Sequence, residues 1–151
     1  MTLESQHNNL SLLPDIAEIR LYLERERNQE SFFLLVEKLR TKRKLRPGDF
    51  YQKTMIVDRK LYNKIRGNGK IGKKYRPSKV KVFAMGLALE LPLEEFKGFL
   101  ERAGYVFDNN SDFDLVVRYC IENGIYSIAD VNARLLAFGQ RILGGAQQEE
   151  S

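Results

Sequence analysis

Seventeen of the chain's 25 Lys and Arg residues, but only 3 of its 20 Asp and Glu residues, fall between positions 37 and 81. The 151-residue chain carries a net +5, which hides a block of +14 set against a remainder of −9. Ammonium and guanidinium groups gathered in this way bind polyanions, because they neutralise phosphates and release the counterions condensed on them. Nucleic acid is the expected partner of such a block; a solvated basic face without a partner is the alternative.

No other constellation promises chemistry. His7 is the only histidine and Cys120 the only cysteine, so neither a zinc ligand set nor a Cys–His pair can be built. A single cysteine also excludes an internal disulfide framework. Within Leu115-Val116-Val117-Arg118-Tyr119-Cys120-Ile121 it reads as a small buried apolar residue. The stretch Gly67-Asn68-Gly69-Lys70-Ile71-Gly72-Lys73-Lys74 approaches a phosphate-binding loop, yet Lys74 stands where Ser or Thr must hold magnesium, and no strand precedes it. A basic loop between helices is expected instead. Asp108-Asn109-Asn110-Ser111-Asp112 imitates the start of a calcium loop, but Phe113 replaces the required Gly and Tyr119 the bidentate Glu. A polar turn and helix cap is expected there. The chain is therefore read as a non-enzyme, with no metal and no cofactor.

The elements that must position the basic block are helical. Pro14 and Asp15 suit a helix start, and Ile16, Ile19, Tyr22 and Leu23 recur at helical spacing up to Arg27. A cap at 28–31 opens a helix to about Lys42, with Phe32, Phe33, Leu35, Val36 and Leu39 on its apolar face. A turn at 45–48 leads to a short helix at about 48–55 containing Phe50, Tyr51 and Thr54. Asp58 caps the next, 58–66, which Gly67-Asn68-Gly69 ends. Pro77-Ser78 starts a strongly striped helix through Val80, Phe83, Ala84, Leu87, Ala88 and Leu91, stopped by Pro92. Helices at 93–102, at 112–122 and from 128 to about 143 complete the chain, closed in turn by Gly104 and by Asn123-Gly124, with Ser127 capping the last. No strand and no repeat is expected, and the tail after 144 is read as disordered. No apolar run reaches the roughly 18 residues that span a bilayer, and the polar first eleven residues lack a signal-peptide core, so a cytoplasmic location is expected.

The order of these helices resembles the lambda-repressor-like (XRE-type) helix-turn-helix DNA-binding domain. Helices 48–55 and 58–66 match its helix-turn-helix. The Phe-rich helix before them matches its first helix. Arg76-Pro77-Ser78 and the run from Val80 through Ala84, Leu87, Leu91, Pro92 and Leu93 to Phe96 match helices 4 and 5. The resemblance implies an all-α, five-helix helix-turn-helix domain over residues 30–104. Residues 1–29 would be a leader and helix, and 105–151 a C-terminal helical hairpin with its tail. It also implies a sequence-specific, duplex DNA-binding transcriptional regulator, a repressor, with helix 58–66 in the major groove. Arg59, Lys60, Asn63 and Lys64 are its non-core positions, Arg suiting guanine and Asn adenine. Arg66, Lys70, Lys73 and Lys74 would hold the backbone. Phe113, Val116, Val117, Leu135, Leu136 and Phe138 would let the hairpin pack on the domain or join two copies in a homodimer. The competing reading is a helix-turn-helix-fold protein–protein interaction module with weak or no DNA binding. It is favoured by Pro47 and Gly48, which stand where the family carries a phosphate-binding Gln, and by the long loop 67–75. Sequence-tolerant RNA binding is a third reading; Phe50, Tyr51 and Tyr62 fall at core spacing and offer no stacking platform.

Overall fold

The computed structural model describes residues 13–27, 30–55, 60 and 76–144. The chain divides into two compact units, Met1–Glu30 and Ser31–Ser151. Among the described residues it is all-helical, without strands, and no described helix is long and apolar enough to cross a membrane.

The described part of the first unit holds one helix, α1 (Ile16–Glu26), which buries none of its residues. The second unit holds α2 (Phe32–Lys42), α3 (Pro47–Thr54), α4 (Lys79–Ala88), α5 (Leu93–Arg102), α6 (Asp112–Glu122) and α7 (Ile128–Ala137). Serine hydroxyls start four of these helices. The Oγ atoms of Ser31, Ser78, Ser111 and Ser127 accept from the backbone N–H groups of Leu34, Lys81, Asp114 and Asp130. Each satisfies a donor the first turn would otherwise leave open. Pro47 starts α3 at a position where its missing N–H costs nothing.

α4 is the centre of the unit. Every residue from Val82 to Leu89 is buried, which its nearly continuous apolar sequence dictates. Phe83 lies 5.5 Å from Phe107, 6.1 Å from Phe96 and 6.2 Å from Phe113, centroid to centroid. Phe99 joins Phe96 (6.5 Å) to Phe32 of α2 (4.9 Å). Gly86 lets α5 approach: a Cβ there would come within 2.5 Å of the Phe96 ring. Val117, Cys120, Ile121, Ile128, Val131, Leu135 and Leu143 belong to the same core as Val36, Phe50 and Phe83. The C-terminal helices therefore share one hydrophobic interior with the helices before them.

Two helix ends differ from the sequence expectation. The last helix stops at Ala137 and does not continue to about 143. Gly139, at φ +69, turns the chain. Its N–H donates to Leu136 O and that of Gln140 to Leu135 O, closing the last turn from below. The chain then folds back so that Asn132 brackets Leu143: its Nδ2 donates to Leu143 O (3.1 Å) and its Oδ1 accepts from Leu143 N (2.8 Å). Leu143 is buried by this return, not by helical continuation. α4 likewise ends at Ala88, before Pro92, because Glu90 adopts φ +52 and the Leu91 N–H reaches back to Gly86 O. A left-handed non-glycine residue is strained. Glu90→Gly is expected to raise stability by about 0.5–1 kcal/mol in urea unfolding, since the ion pair it removes among the described residues, Lys53–Glu90 at 3.8 Å, is exposed and worth little.

Candidate nucleic-acid interface

The basic block spans α2 to the start of α4, and the described residues divide its cations into two groups. The first group is bonded to the fold: Arg40, Arg43 and Lys79 are half-buried, and Arg76 is exposed but engaged. Arg40 Nε donates to Glu37 Oε2 (2.6 Å) and its Nη1 to Leu45 O (2.6 Å), fixing the turn after α2. Arg43 Nη2 reaches Glu95 Oε2 (3.3 Å), joining the end of α2 to α5. Arg76 donates from Nε to Ala103 O (2.9 Å) and from Nη2 to Gly104 O (2.7 Å), with its guanidinium 4.5 Å from the Tyr105 ring centroid. Tyr105 completes this clasp by donating to Pro77 O (2.8 Å). Gly104 sits at φ +88, and a Cβ there would collide with the Arg76 guanidinium. Lys79 donates to Asp114 Oδ2 (2.5 Å) on α6. Asp114, buried, also accepts from Asp108 N (2.7 Å). Part of the charge concentrated at 37–81 is thus spent on holding α2, α4, α5 and α6 together.

The second group faces solvent: Lys42, Lys44, Arg46 and Lys60 are exposed. Of the residues the sequence assigns to DNA contact, Lys60 is described, and it is helical and exposed. Arg59, Asn63, Lys64, Arg66, Lys70, Lys73 and Lys74 lie outside the described residues, as does the helix expected at 58–66 apart from Lys60. The first helix of the expected pair corresponds to α3 (Pro47–Thr54). Its Phe50 and Thr54 are buried and Tyr51 half-buried, and the Thr54 hydroxyl donates to Tyr51 O (2.7 Å), which lets a polar side chain enter the core. Met55 ends α3 at φ +61 with its side chain exposed.

Sequence reasoning missed the intramolecular partners of Arg40, Arg43, Arg76 and Lys79. The i, i+3 spacing of Glu37 and Arg40 was a usable signal; the other three partners are 27 to 52 residues away.

Catalytic chemistry finds little to work with among the described residues. A groove of about 390 Å³ runs between the ends of α3 and α4 and the start of α7, rimmed by Lys53, Met55, Glu90 and Tyr126. Burial, and then the Glu90 carboxylate, push the Tyr126 phenol above its ordinary value, against the opposing charge of Arg43. Its hydroxyl donates to Leu91 O (3.0 Å). Burial also pushes the Cys120 thiol up, with Arg134 opposing. It is buried, as its apolar sequence setting implies.

No protein-family model matches this sequence, and comparison with curated proteins and with solved structures finds no match to either.

Proposed function

We propose that the protein is a duplex DNA-binding transcriptional regulator, acting as a cytoplasmic repressor, that sets helix 58–66 in the major groove. One observation carries this reading: 17 of 25 cations are concentrated at 37–81. The order of α2 and α3 before residues 58–66, and of α4 and α5 after them, supports the lambda-repressor-like resemblance. In this scheme Arg59 and Asn63 read base edges, while Lys60, Lys64, Arg66, Lys70, Lys73 and Lys74 engage phosphates.

The test is fluorescence anisotropy with a generic labelled duplex, comparing the native chain with Arg59→Ala plus Lys60→Ala. Affinity is expected to fall by roughly 10- to 100-fold, from about 1–3 kcal/mol of lost contact, with helicity by circular dichroism unchanged. Unchanged affinity would remove helix 58–66 from the interface.

The second reading is the interaction module. It is favoured by Leu136 and Phe138, which are 63% and 70% exposed near the end of α7 and are suited to a protein partner or a second copy. Copurification with a protein, together with indifference to DNA, selects it.

A further inference from the structure

We propose that Lys42, Lys44 and Arg46, at the turn between α2 and α3, form a clamp on the phosphodiester backbone of duplex DNA, a contact surface outside 58–74 that rests on the DNA-binding reading above. The five residues 42–46 alternate. Lys42, Lys44 and Arg46 are exposed, whereas Arg43 and Leu45 are half-buried. Arg43 pairs with Glu95, and Leu45 packs against the core. No side-chain hydrogen bond or ion pair engages the three outward cations among the described residues. Asp49 is the only carboxylate between 38 and 53, and Glu95 of α5 is paired with Arg43.

The turn is also held by its own hydrogen bonds. Leu45 N donates to Arg40 O (3.1 Å) and Lys44 N to Thr41 O (3.0 Å), while Arg40 Nη1 holds Leu45 O from the other side. Cations on a preformed turn lose less freedom on binding than cations on a loose loop. Lys44 occupies φ +56, a left-handed conformation that favours glycine. None of the three lines the groove beside Tyr126. They form an open row of charges, which fits the repeated phosphates of a nucleic-acid strand.

The experiment compares four proteins on the same labelled generic duplex from low to moderate salt. These are the native chain, the triple variant Lys42→Gln/Lys44→Gly/Arg46→Ser, the control Lys97→Gln/Arg141→Gln, and the helix 58–66 variant Arg59→Ala/Lys60→Ala. The triple variant is chosen to keep the fold: glycine suits φ at 44, and serine at 46 can cap α3. Each phosphate contact contributes about 0.9 to the slope of log affinity against log salt, so the triple variant is expected to flatten the slope by about 2.7, with the control unchanged. A native slope retained in the triple variant overturns the clamp and leaves DNA binding through 58–74 standing. An equal loss in the control overturns it too, by showing diffuse attraction. Absence of binding by the native chain at low salt overturns both the clamp and the DNA-binding reading.

Discussion

Phe83→Ala is expected to destabilise the unit Ser31–Ser151 by about 3–5 kcal/mol, the range for truncating a large core aromatic. Phe83 is fully buried on α4 and touches three other rings, from α5 (Phe96), from the loop before α6 (Phe107) and from α6 itself (Phe113). Removing it takes away the apolar area of the ring and opens a cavity that three elements would have to close together. They cannot collapse freely, because Gly86 already brings Phe96 against the α4 backbone. Urea unfolding followed by circular dichroism measures the loss. Should Phe83→Ala not fold, Phe83→Leu provides the milder reading, at about 1–2 kcal/mol. A loss under about 1 kcal/mol for Phe83→Ala would contradict a core centred on α4.

Asp114→Ala is expected to cost about 2–4 kcal/mol. The side chain of Asp114 is only 6% exposed and serves two donors, Lys79 Nζ and Asp108 N. Truncation leaves the Asp108 N–H without its acceptor, at a desolvation cost of about 1–3 kcal/mol. It also strips Lys79 of its counter-charge, which is costly for a buried ion. Lys79 keeps 28% of its side chain in solvent, so water recovers part of that second loss and the estimate stays below the full value for a buried pair. A cycle with Lys79→Met separates the contributions: the double variant is expected to lose less than the two single losses added together. Strict additivity would show that the two groups do not act as a pair. The bond matters for the interface because it ties the first residue of α4, at the C-terminal end of the basic block, to α6.

Local signals made most of the described helices readable. Leu93–Arg102 and Asp112–Glu122 have the bounds expected from sequence, because a proline or serine before each and a glycine after each mark the ends. Where the end depends on conformation alone, the sequence is silent. Nothing in the residue type of Glu90 announces φ +52, so α4 reads as running on to Pro92. The apolar Ile142-Leu143 pair suggests a helix that continues, whereas Asn132 binds Leu143 across a reversed chain. Phe107 lies in a loop, outside any periodic pattern, yet stacks on Phe83. The basic block was visible as charge, but charge does not reveal partners. Arg76 and Lys79 find theirs 27 and 35 residues away, and only the tertiary fold separates such bonded cations from Lys42, Lys44 and Arg46.

The central claim is that the concentrated positive charge serves duplex DNA. The most direct measurement is the affinity of the native chain for a generic labelled duplex across a salt series from about 50 to 200 mM. The account predicts measurable binding at low salt and a steep linear fall of log affinity with log salt, the signature of several neutralised phosphates. No binding at 50 mM, or an affinity indifferent to salt, would contradict it.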